Sequence, residues 1–171
     1  MAKRILYMKA EEMTHATKSE LIEAIAGSEG RVLASETIGI TIPLLTDVTN
    51  AEFAASMGAD LILLNMFDVQ EPKIMALPEV EKEETVREVK RLTGRMVGIN
   101  LEPVEESYAS DNKETLWEMS AGRYATVENA IQAQKMGVDL IVLTGNPGNG
   151  VSNPAIISSL KAISEAVGEK I

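Results

Sequence analysis

Four short runs of apolar residues punctuate the chain. Each is followed by polar or glycine-rich residues and then by apolar positions at helical spacing. The runs are Arg31–Glu36, Leu61–Asn65, Met96–Asn100 and Leu140–Thr144. Leu/Ile/Val runs of this length fit strands buried on both faces, as in a parallel sheet covered by helices. The helical stretches 50–58, 84–94 and 127–137 each close on glycine, the usual left-handed stop. Thr49-Asn-Ala-Glu52 has the form of a capping box, and Thr126 is placed to cap the third stretch. Asn153-Pro154 predicts the cap and first residue of a last helix, with Ile156, Leu160, Ile163 and Val167 on one face and Gly168 at its end. Residues 10–28 precede the first strand and also predict helix, with Thr17-x-x-Glu20 as a capping box partway along. Strand and helix alternate throughout, which argues for an α/β fold of TIM-barrel-type (βα) units around about four parallel strands. The expected organisation is a single domain: an N-terminal helical cover over residues 1–30 and a (βα)4 unit over 31–171.

An internal repeat accompanies this layout. Ala54-Ala-Ser-Met-Gly-Ala-Asp-Leu-Ile-Leu-Leu64 matches Ala133-Gln-Lys-Met-Gly-Val-Asp-Leu-Ile-Val-Leu143, with the aspartates Asp60 and Asp139 79 residues apart. That distance is two strand–helix units. Either a duplicated pair of units or a shared local need for a Gly-x-Asp turn before a strand produces it. Four units are half of the closed eight-stranded barrel, which needs about 200 residues or more. A half-barrel completed by another copy, a shortened form of a longer protein and an open four-stranded sheet all fit this count.

Composition removes several classes of chemistry. The 171 residues and 18.5 kDa suit one domain with a substantial core. Lys plus Arg is 16 against 26 for Asp plus Glu, so the net charge of −10 disfavours nucleic acid and anionic membranes as partners. The absence of cysteine excludes disulfides, thiolate catalysis and Cys-based metal sites, and one histidine makes a Ser–His–Asp triad improbable. No run approaches the roughly 20 apolar residues of a membrane span. The apolar stretch Ile5–Met8 is too short for a secretion signal, which points to a cytoplasmic location.

Ligands of parallel α/β folds meet the loops at the carboxyl ends of the strands. Those ends read Ser35-Glu36, Asn65-Met-Phe-Asp68, Asn100-Leu-Glu102 and Thr144-Gly-Asn146. Asn65, Asn100 and Asn146 offer amides for hydroxyls, carbonyls or phosphate oxygens. Carboxylates such as Asp68 and Glu102 can bind Mg²⁺ or exchange protons. The plainer account is that Asn and Asp favour strand-to-loop turns. Thr144-Gly-Asn-Pro-Gly-Asn-Gly150 places Gly145, Gly148 and Gly150 ahead of a helix start, where backbone N–H groups can face an anion. Arg123, in the long 103–125 connection, is the best placed cation for a phosphate or carboxylate, unless it is spent on a neighbouring acid.

The segments Pro43–Glu52, Gly58–Asp68, Gly98–Pro103 and Leu143–Val151 together resemble a bacterial family of TIM-barrel proteins commonly labelled phosphoenolpyruvate phosphonomutase-like. The resemblance implies a (βα)8 barrel of which this chain is the amino-terminal half, with its site at the strand carboxyl ends. It carries forward Asp47, Asn65, Asp68, Asn100, Glu102, Arg123 and Asn146. The expectation that follows is an enzyme of lyase or isomerase type acting on a small anionic, phosphorylated metabolite. Asp68 and Glu102 would bind Mg²⁺ or move protons, with Asn100 as a third catalytic position; the 145–150 loop would hold the anion, with Asp47, Asn65 and Thr144 as further binding positions, and Arg123 would close over it. No organic cofactor is expected. A homo-oligomer is, because an unfinished sheet leaves a strand edge exposed. The alternatives are a non-catalytic metabolite-binding or self-assembling protein, or an inactive piece of a longer barrel.

Overall fold

The computed structural model describes residues 3–105, 119–145 and 150–168. Strands β1 (Ala34–Ile38), β2 (Leu61–Asn65), β3 (Met96–Leu101) and β4 (Leu140–Leu143) form one parallel sheet in chain order. Two helices precede it, α1 (Ala10–His15) and α2 (Lys18–Gly27). Then α3 (Asn50–Ser56), α4 (Thr85–Thr93), α5 (Val127–Met136) and α6 (Asn153–Val167) each follow one strand. The protein is therefore an α/β fold with a four-stranded parallel sheet.

Local chemistry sets most of the boundaries. Thr49 accepts the Glu52 N–H at 3.1 Å while Glu52 reaches back to the Thr49 N–H at 3.0 Å, closing the capping box. Thr126 caps α5 through the Asn129 N–H. Gly94 and Gly137 stop α4 and α5 at φ 62° and 88°, a region that disfavours a side chain. Three boundaries differ from the sequence reading. Ser152, not Asn153, caps α6 by accepting the Ala155 N–H, which moves Pro154 to the second helical position. Residues 10–28 form two helices, because the Thr17–Glu20 box starts a new helix instead of continuing one. The first strand runs Ala34–Ile38 and not Arg31–Glu36, since pairing with β2 begins at Ala34 opposite Leu61.

The two faces of the sheet are filled differently. Ile62 and Leu64 of β2 and Val97, Ile99 and Leu101 of β3 pack against Ala51 and Ala55 of α3, Val86 and Val89 of α4, and Ala133 and Met136 of α5. Ile163 and Val167 of α6 continue this layer over Ile141 and Leu143. The alternate residues form the opposite face. At its amino-terminal end Leu61 and Met96 are covered by Ile5, Met13 and Ala24, so α1 and α2 close the end remote from the strand carboxyl termini. Burial on both faces holds for β3, whose six residues are all buried, and not for the edge strand β1.

The aspartates of the internal repeat perform one task twice. Asp60 donates its N–H to the Leu33 carbonyl at 2.8 Å, and its carboxylate accepts the Leu33 N–H at 2.8 Å. Asp139 makes the same two bonds with Val97, also at 2.8 Å each. Each clamp ties the start of one strand to the start of the previous one and holds the parallel register. Asp139 also pairs with Lys90 at 2.6 Å, both side chains being 11% exposed. Burial raises the Asp139 carboxyl above its ordinary value, against the opposing pull of Lys90 and the Val97 N–H.

The two clamps should therefore differ in weight. Asp60→Ala is expected to cost about 1–3 kcal/mol, the loss of one charged hydrogen bond. Asp139→Ala is expected to cost about 3–5 kcal/mol, because it also strands a largely buried lysine. Urea unfolding of both variants measures the difference, and equal losses would contradict it.

Candidate site at the strand carboxyl ends

The open face of the sheet ends in polar side chains. Asn100, in β3, is 9% exposed and donates from Nδ2 to the Thr144 hydroxyl, just beyond β4, at 2.7 Å. Among the described residues its buried Oδ1 has no hydrogen-bond partner. A buried polar atom left unmet costs about 1–3 kcal/mol, so such an atom is rare without a reason. Asn65 lies one step beyond the Leu64–Ile99 pair, at the end of the neighbouring strand. Its Oδ1 accepts the Met66 N–H at 2.7 Å, and Met66 sits at φ 57°. Thr46, between β1 and α3, is at φ 54°. Of the four non-glycine residues at positive φ among the described residues, Thr46, Met66 and Ala76 lie in the loops that leave the carboxyl ends of β1 and β2, and Glu29 lies ahead of β1.

The carboxylates and Arg123 are joined by a backbone wedge. Ser120–Arg123 runs between the ends of β2 and β3: the Val69 N–H donates to the Gly122 carbonyl at 3.2 Å, and the Glu102 N–H to the Arg123 carbonyl at 2.9 Å. Arg123 then pairs with Glu102 at 2.7 Å, with side chains 15% and 5% exposed. Asp68 Oδ1 accepts the N–H groups of Gln70 and Glu71 at 2.7 and 2.9 Å. Burial opposes ionisation of Asp68. The Ser120 hydroxyl, those two N–H groups and the charge of Arg123 outweigh it and hold the carboxyl below its usual range. A cavity of about 260 Å³ borders the group, lined by Glu102, Val104, Tyr124, Thr126 and Ser159.

These bonds bear on a metal. Among the described residues no group of three or more His, Asp or Glu is placed to hold one. Asp68 Oδ1 and Glu102 Oε1 are already occupied by protein donors.

Residues 6–171 match the model of a family described as "Domain of unknown function (DUF7916)". The chain belongs to that family. No curated protein matches it, and no solved structure does.

The structure thus brings Asn65, Asn100, Glu102, Arg123 and Thr144 to one edge, with Asp68 bracing the wedge behind Arg123. Asp47 stands apart on the exposed β1–α3 loop, and no hydrogen bond or ion pair links it to this group among the described residues. Glu36 lies two residues inside β1 and not at its end, because the strand continues to Ile38. Gly145 is exposed, and Gly150, at φ 65°, accepts the Glu105 N–H. Asn146 and Gly148 lie outside the described residues, as do Glu106, Asp111 and Trp117 of the long connection. Sequence reasoning missed the bracing roles of Ser120 and Gly122. The signal for Gly122 was glycine itself: a Cβ there would lie 1.8 Å from Asp68 Oδ1 and 2.8 Å from the Gln70 nitrogen.

Gly122→Ala is accordingly expected to lower stability by about 1–3 kcal/mol or displace Asp68. A thermal melt together with the Asp68 chemical shift reports either result, and a variant unchanged in both would refute the wedge. Because the Asp68 pKa is depressed on folding, its contribution is present above the ordinary carboxylate pKa and is lost as pH falls through the lowered value. Asp68→Asn should therefore reduce stability at pH 7 and flatten its acid dependence below about pH 4.

Proposed function

We propose that the carboxyl edge of the sheet binds a small anionic, phosphorylated metabolite. The observation that carries the reading is the buried, unmet Oδ1 of Asn100, held by the Thr144 hydroxyl on the face of β3 opposite the helix layer. An acceptor fixed in this way suits a hydroxyl or N–H of a ligand. The Arg123 guanidinium, paired with Glu102 two residues beyond Asn100, would supply positive charge for a phosphate or carboxylate, and its planar fork suits such oxygens. Asp68 acts as a positioning residue, fixing the wedge from which Arg123 projects. The open sheet, with helices α3–α6 on one face, is compatible with half of a barrel, and the resemblance to phosphonomutase-like barrels supports placing the site at this edge.

Within this reading, an enzyme of lyase or isomerase type would use Glu102 to exchange a proton beside a substrate carbonyl, with Arg123 steadying the charge. A second reading, binding without turnover, is favoured by the engagement of Asp68 and Glu102 with protein donors. The two part on one observation, since only the enzyme consumes its ligand.

Thermal unfolding against phosphosugars, phosphoenolpyruvate, inorganic phosphate and small keto acids tests the binding claim. A ligand at 100 times its Kd contributes about 2.7 kcal/mol, a rise of roughly 5–10 °C for a chain of this size. Asn100→Leu, which removes the amide and keeps a comparable volume, should fold and lose the shift. The absence of any shift across the panel, or an undiminished shift in Asn100→Leu, would overturn the reading. If the shifting compound is consumed, Glu102→Gln should lower the rate by about 100-fold or more, the scale of a lost general acid–base.

A further inference from the structure

The two edges of the sheet carry matching unfinished features. Along the outer edge of β1, beside α3, runs an open groove of about 580 Å³ lined by Leu33, Ile42, Leu44, Phe53 and Met57. Leu33, Ile42, Leu44 and Met57 are all exposed. In this fold the helix after each strand packs beside the helix after the next: α3 on α4, α4 on α5 and α5 on α6. No described helix fills the corresponding place on the outer side of β1 and α3. At the far edge, α6 buries Ile163 and Val167 while Ile157 and Leu160 remain 53% exposed. One end of the layer has an apolar groove without a helix, and the other has a helix with apolar side chains to spare.

The internal repeat says how they would meet. The clamps equate Leu33 with Val97, so Gly30-Arg31-Val32-Leu33 corresponds to Gly94-Arg95-Met96-Val97. Gly30 and Gly94 share a left-handed backbone, at φ 76° and 62°. Across the β2–β3 junction, which joins one repeat to the next, Arg95 Nε donates to the Ala59 carbonyl at 2.6 Å. The residue equivalent to Ala59 is Val138, just before β4, and the residue equivalent to Arg95 is Arg31, just before β1. These two stand at opposite edges of one sheet. Arg31 is 53% exposed and, among the described residues, bonds only its local turn, at Ser28 and Glu29.

We propose that this surface takes a second copy of the chain, with β1 of one protomer beside β4 of the other. Arg31 then reaches the partner subunit's Val138 carbonyl as Arg95 reaches Ala59, and α6 enters the groove beside α3. A two-fold axis makes the junction twice, joining four strands to four, and the closed ring leaves no free edge. The pairing is independent of whether the Asn100 site binds a metabolite.

Light scattering on the 171-residue chain tests this, and twice the 18.5 kDa protomer mass is the expected result. Ile157→Glu and Met57→Glu lie on exposed positions at the two sides of the junction, so each should fold, as circular dichroism will show, and run as a monomer. Mixing the two variants should restore a dimer, because one of its two junctions then carries neither substitution. Arg31→Ala should weaken dimerisation by about tenfold or more at each junction. A monomeric wild-type chain at 100 μM would overturn the proposal. So would a dimer broken by Met57→Glu and indifferent to Ile157→Glu, which would mean β1-to-β1 pairing, or a polydisperse open assembly.

Discussion

The register of the sheet depends on a carboxylate placed one residue before an incoming strand. Parallel strands have no hairpin turn to set their alignment, and a slip of one residue would send each apolar side chain to the wrong face. Asp60 and Asp139 supply the missing constraint by bonding both the N–H and the carbonyl of one residue at the start of the preceding strand. Once Leu33 and Val97 are held, Ile62, Leu64, Val97 and Ile99 must all face the helices. Asn100 is then fixed on the opposite face, next to Thr144.

A division of labour follows along the strands. The amino-terminal end is closed by α1 and α2 through apolar contacts with Leu61 and Met96. The carboxyl end holds the strained backbone at Met66, the unmet Asn100 oxygen and the buried Glu102–Arg123 pair. Stability is concentrated where the chain is dry and apolar, and polar groups are kept where the sheet opens. The wedge Ser120–Arg123 belongs to this second end, and its fit requires glycine at position 122, because any side chain there would meet Asp68.

The strand–helix alternation and the parallel class were legible because apolar runs and glycine stops are local signals. The repeat was legible as a string, and the Met-Gly-x-Asp segment named both clamp residues without revealing what they bind. The polar ends of the strands were visible at Asn65, Asn100 and Glu102 for the same reason. Other assignments needed neighbours distant in the chain. Arg123 presents equally well as a substrate cation and as an ion-pair partner until Glu102 is seen 2.7 Å away. Asp68 reads as a site carboxylate until Ser120, Gly122 and Arg123 are found packed against it.

The order of elements, the caps at Thr49 and Thr126 and the residues offered to the carboxyl edge were thus determined by the sequence alone, since each depends on spacing within a few residues. Which offered residues meet, and which are spent on one another, was decided by the tertiary structure. Asp47 and Asn65 look equivalent along the chain, yet one is exposed on a loop and the other ends a central strand. The reason is geometric. A parallel sheet sets side by side residues separated by whole strand–helix units, and those distances are fixed only when the clamps and the helix layer are in place together.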